Sequence, residues 1–186
     1  MTDVRPCLAL YTFGIFAKPA EDPANDGFRD RNDPIFAVVD ATLGLIARSG
    51  YDADPAPLSW GEQVQPRFFT DEHGDVWSPA TLSLWQDLEA VFAFTYFGLH
   101  AEAMSRGRDW FREPAWPPLV LWWQAEEGYP QWAEGVRRHH LLHDHGPTPE
   151  AFTFAQAFDP SGARVRIDRA RVKALASRRA PQPGAC

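Results

Sequence analysis

The chain has 186 residues, 45% of them hydrophobic and 23% charged, with a net charge of −7. This balance predicts one domain with a continuous core and excludes a fibrous or disordered chain. The negative charge argues against nucleic acid as a partner. No run approaches the roughly 18 apolar residues of a membrane helix, and no basic, apolar leader opens the chain, so a cytoplasmic protein with no membrane partner is expected.

Residues 7–16, CLALYTFGIF, read as a strand with two apolar faces, Leu8, Leu10 and Phe16 on one and Ala9, Tyr11, Phe13 and Ile15 on the other. Strands of that kind are covered on both sides. A polar, turn-rich loop follows to Asp33, which caps a predicted helix with Pro34 in its first turn; Ile35, Val38, Val39, Thr42, Leu45 and Ile46 then recur at helical spacing up to Gly50. Residues 51–66, with three prolines and Trp60, read as a long loop. A short strand at 67–70 and a longer one at 76–85 form a predicted hairpin about the turn Asp71–Asp75.

In the second strand of that hairpin, Thr81, Ser83 and Trp85 form a mixed face suited to bordering a cavity. Asp87 caps a helix predicted to run to about Trp110, and Pro117 to Gln124 is a strand apolar on both faces. After a turn at 127–130 a further helix runs through Trp132 and Val136 to His145 and Gly146, and 152–154 closes as a short strand. Arg164, Arg166, Arg169, Arg171, Lys173, Arg178 and Arg179 make the end of the chain basic. It reads as a solvated helix and frayed terminus, with RNA or an acidic partner as the alternative. The expected division is one domain over 1–162 and a basic tail over 163–186. Cys7 and Cys186 are expected to be free thiols.

The fold class expected is α+β, a ferredoxin-like β-α-β-β-α-β plait with an added C-terminal helix and strand. Both its helices lie on one sheet face, so the apolar opposite face needs a cover. A second copy, sheet against sheet, is the economical one; the rival is the 51–66 loop together with the C-terminal segment.

The run Leu82–Trp85, then Phe94, Tyr96 and His100, Arg108–Phe111, Leu119–Trp123, Gly128–Pro130 and His145–Phe154 resembles the domain of unknown function 3291 family over roughly residues 80–158. The resemblance implies a dimeric α/β barrel of the antibiotic-biosynthesis-monooxygenase type, and a homodimer. Relative to that family pattern, the loops at 18–33 and 51–66 look enlarged, and enlarged loops change specificity.

His100, a turn after Tyr96 and a turn before Met104, is the leading acid–base candidate, against the reading of a histidine that only hydrogen-bonds within the core or at a dimer seam. The resemblance also places a histidine here, and related barrels line their cavity with this helix. Arg108, with Arg106 behind it, is a candidate anion stabiliser, or else a surface ion pair. Trp85, Trp110, Trp122, Trp123 and Tyr11 are candidate substrate-binding walls, or core. His139, His140, His143 and His145 suggest metal, but the expected reading is a solvated helix face with no metal. No nucleotide or phosphate-loop motif is present.

The expected function is a cofactor-independent small-molecule tailoring enzyme, monooxygenase-like or a cyclase, dehydratase or isomerase, of the kind used in natural-product biosynthesis. Its substrate would be apolar and oxygenated. The alternatives are a non-catalytic ligand-binding protein, for example one holding haem through His100, and an interaction module acting through the basic tail.

Overall fold

A computed structural model describes residues 6–53, 55–124 and 128–178. The Cys186 thiol and the last part of the basic tail, including Arg179, lie outside the described residues. The protein is a mixed α+β structure built on a four-stranded antiparallel sheet. Its strands are β1 (Cys7–Phe13), β2 (Leu45–Arg48), β3 (Ala80–Trp85) and β4 (Leu119–Gln124), in the order β2-β3-β1-β4. The apolar residues of β1 therefore occupy the middle of the sheet, and Tyr11 lies between Leu82 of β3 and Val120 of β4.

Alternation along the strands divides the core into two layers. On one face Leu8, Leu10, Trp85 and Leu121 pack with Phe36 and Val39 of α1 (Asp26–Asp40) and with Leu88 and Val91 of α2 (Leu88–Tyr96). On the other, Ala9, Tyr11, Leu82, Leu84, Val120 and Trp122 pack with Trp132, Val136 and Leu142 of α5 (Trp132–His145). Trp60 and the half-buried Val64, Phe68 and Phe69 complete that second layer. The face expected to need a second copy is thus covered from within the chain, by α5 and the β2–β3 connection.

Several expectations are corrected. The first helix begins at Asp26, seven residues before the expected cap, because Asn25 is buried and donates to the Pro19 carbonyl at 2.8 Å, fixing the preceding turn. Pro34 therefore lies inside the helix. The helix stops at Asp40 rather than Gly50; Gly44 turns the chain at a φ of 92°, and Leu45 and Ile46 enter edge strand β2. The predicted 67–70 strand and its hairpin do not form. β3 begins only at Ala80, after Pro79, which has no N–H for a ladder, and its partner on that side is β2. No helix or strand occupies the described residues of 49–79.

The helix expected over 87–110 is three, α2, α3 (Gly98–Ser105) and α4 (Gly107–Trp110). Phe97 is extended and Gly98 sits at a φ of 65°, which breaks the helix between Tyr96 and His100. The predicted 152–154 strand reduces to isolated bridges, Thr153 with Gln156 and Phe152 with Leu121, the latter pair exchanging two hydrogen bonds of 2.9 Å along the edge of β4. Beyond it lie a small hairpin, β5 (Ala157–Phe158) and β6 (Arg164–Val165), and then α6 (Arg169–Ser177). This last helix was expected to be solvated, yet Val172 is buried against Phe92 and Ala93 of α2, and Arg171 pairs with the α2 cap Asp87.

α5 approaches the sheet through Gly135, where an added Cβ would lie 2.8 Å from Cδ2 of Tyr11. Gly135→Ala gains helix propensity but overfills this contact, and is expected to lower stability by about 1–2 kcal/mol in urea unfolding. A neutral or stabilising result would mean that α5 rides loosely on the sheet.

Candidate functional site

The α5 stripe facing the sheet reads Trp132, Gly135, Val136, His139 and Leu142, so an imidazole takes one place in an otherwise apolar row. His139 is 0% exposed. Its Nε2–H donates to the Pro117 carbonyl at 2.6 Å, and because a carbonyl only accepts, Nδ1 is left as the lone-pair nitrogen. That Nδ1 is buried without a partner among the described residues. Burial pushes the imidazole down to about 4, so the ring is neutral at physiological pH.

Tyr11, central in β1, lies under α5 with its ring centre 5.5 Å from that of His139. Its hydroxyl is likewise buried and unpartnered among the described residues, and burial pushes its ionisation well above the ordinary phenol range. Trp122 Nε1 on the same sheet face, and Trp116 Nε1 beside Phe13 and Phe68, are also buried without acceptors among the described residues. A buried polar group left unpaired costs about 1–3 kcal/mol, so such atoms mark places where a further group belongs. The arrangement offers one buried base and one buried hydroxyl donor side by side, walled by aromatic rings.

The described residues of 49–79 form a strap over this region. Its first part is tied down firmly. Ser49 N–H donates to Leu82 at 2.9 Å, the Tyr51 hydroxyl donates to the Ala80 carbonyl at 2.9 Å, and Trp132 Nε1–H donates to Ser59 Oγ at 3.2 Å. Its later part is held by Arg112 on Glu72 at 2.8 Å, by the Ala20 N–H on the Asp75 carboxylate at 3.1 Å and by the Ser78 hydroxyl on the Gly14 carbonyl at 2.5 Å, and by a corner on α5. Phe68 stacks on Trp116 with ring centres 5.6 Å apart and lies 5.2 Å from His139. Beside it, Arg67 N–H donates to His140 Nε2 at 3.0 Å and its guanidinium engages Asp144. Irregular segments of this length are uncommon in compact domains and are usually functional.

The structure separates the three residues expected to form a catalytic group. Tyr96 is exposed at the end of α2, against Phe92 and Phe154. His100 lies in the first turn of α3, its ring 4.6 Å from Phe94 and its Nδ1 donating to the Thr95 carbonyl at 3.0 Å. Burial lowers its pKa. Arg108 is exposed on α4, and Arg106 pairs with Asp109.

The aromatic candidates divide. Tyr11 and Trp122 are in the α5 layer. Trp85 is buried in the opposite layer, and Trp110 is buried in a separate cluster with Phe16 and Phe28. Trp123, its Nε1–H on the Phe158 carbonyl at 2.7 Å, lines a shallow bowl of about 380 Å³ with Arg138 and Asp159. The four histidines expected on a solvated helix face also divide, with His139 inside while His140 and His143 hold the strap. Among the described residues no three His, Cys, Asp or Glu side chains gather as metal ligands, and no helix is long and apolar enough to cross a membrane.

The model of the family described as Domain of unknown function (DUF3291) matches residues 7–168. No curated protein and no solved structure matches the chain.

Proposed function

We infer that this chain, which belongs to the Domain of unknown function (DUF3291) family, is a small-molecule tailoring enzyme that works by acid–base chemistry between the sheet, α5 and the strap. The observation that carries this reading is the pair of unpartnered buried atoms, His139 Nδ1 and the Tyr11 hydroxyl, on rings 5.5 Å apart. In this scheme Nδ1 takes a proton from an acidic C–H or hydroxyl of an apolar, oxygenated substrate. The electron pair moves onto the substrate oxygen, and the Tyr11 hydroxyl donates to that oxygen. Returning the proton at a neighbouring atom completes an isomerisation, and loss of a hydroxyl with that proton completes a dehydration. The aromatic walls exclude water and favour a neutral ligand, because a buried charge without a partner is strongly disfavoured.

The strand order, with α1 and α2 on one sheet face, supports the ferredoxin-like plait as the scaffold. The packing of α5 on the opposite sheet face favours a dimer, where one forms, that uses another surface.

Benzoylacetone in deuterated water tests the reading, since NMR follows exchange of its acidic C–H. The protein is expected to accelerate that exchange, with a loss of about a hundredfold in His139→Gln and a smaller loss in Tyr11→Phe, both variants keeping the native circular dichroism. Equal rates for wild type and His139→Gln would sink the assignment.

A further inference from the structure

The corner of the strap that seals the His139 face is fastened through two histidines. Arg67 N–H donates to Nε2 of His140, and the Arg67 guanidinium reaches both Asp144 and Nδ1 of His143, 3.2 Å from Nη2. Phe68 is the wedge between them, 5.5 Å from His140 and 4.8 Å from His143. The hydrogen-bonding partners of this corner on α5, His140, His143 and Asp144, are all reached by solvent, whereas Phe68 also touches the buried His139.

We propose that this corner is an acid-released latch governing access to the buried His139–Tyr11 site, an inference that rests on the reading of that site given above. Nε2 of His140 holds the strap only while it carries a lone pair. Protonation turns it into a donor facing the Arg67 N–H donor, and sets a second cation beside the Arg67 guanidinium.

The groups facing His140 are Arg67 from the strap and His143 and Asp144 from α5. Burial, Arg67 and His143 lower the pKa of His140, while Asp144 opposes them. A pKa held below the ordinary value in the closed form means that the open form binds the proton more readily. Opening is therefore favoured as pH falls through the ordinary histidine range. Asp144 stays ionised throughout, since Arg67 and His143 hold it well below the usual carboxylate range.

The Arg67 amide reports directly. Its hydrogen exchange, measured by NMR on the full chain and normalised for the intrinsic rate, is expected to rise about tenfold between pH of about 7.5 and 5.5, while β1 amides stay protected. In His140→Gln the side-chain oxygen still accepts from Arg67 but does not titrate, so protection at both pH values is expected. An Arg67 amide equally protected at both pH values in the wild type, or an unchanged pH response in His140→Gln, overturns the latch. The benzoylacetone assay separates the two readings. Catalysed exchange with a pH-independent Arg67 amide removes the latch alone, whereas a responsive amide without catalysed exchange removes the site.

Discussion

Trp132→Ala is expected to lower the unfolding free energy by about 3–5 kcal/mol, the range for deleting a buried tryptophan. Trp132 is 1% exposed, stands edge-on to Tyr11 with ring centres 6.3 Å apart, and stacks on Tyr51 at 5.9 Å. Its side chain also ties α5 to the strap, by donating to Ser59 Oγ. Removing it opens a cavity and severs that tie together. Urea unfolding followed by circular dichroism measures the loss, and Trp132→Phe separates the two parts, since it keeps most of the buried area and forfeits the hydrogen bond, at about 1 kcal/mol. A loss below about 1 kcal/mol for Trp132→Ala would mean that α5 and the strap lie outside the cooperative unit.

Acidification is expected to weaken the fold through His139 alone by about 2–3 kcal/mol between pH of about 7.5 and 4.5. The imidazole ionises near 6.5 in the unfolded chain and near 4 when folded. Between those values the unfolded chain binds a proton that the folded one refuses, so this part of the stability is complete above about 6.5 and drains away as pH falls. His139→Leu isolates it from every other titrating group. The wild type should be the more stable at neutral pH, because Leu leaves the Pro117 carbonyl unpaired, and its lead should shrink by the stated amount on acidification. A lead independent of pH would show that His139 is solvated in the folded protein.

Much of the scaffold is legible in the residues themselves. The two-sided apolar pattern of β1 announces a central, doubly covered strand, β4 shares that pattern while lying at the end of the strand order, and α5 stops at Gly146 as expected. The failures share a cause, in that local spacing is satisfied by more than one structure. Leu45 and Ile46 continue the helical stripe of α1 as well as they fill a short edge strand, and only the turn at Gly44 decides between them. Tyr96 and His100 sit a turn apart only if the helix is unbroken, and Phe97–Gly98 breaks it.

The sequence also held a signal for His139. It shares a stripe with Trp132, Gly135, Val136 and Leu142, but three neighbouring histidines made it look like one of an exposed group. The roles of Arg67 and Phe68 depend on contacts with α5 more than 70 residues away, which no local pattern carries.

The central position of β1 also sets the order of assembly. It precedes both of its neighbours, residues 80–85 and 119–124, along the chain, and the helix over its Tyr11 face comes only with residues 132–145. Pairings so distant along the chain are slow to close. Until those residues are made, this apolar segment lacks its sheet partners, and transiently exposed apolar surface of that kind is what aggregates during folding.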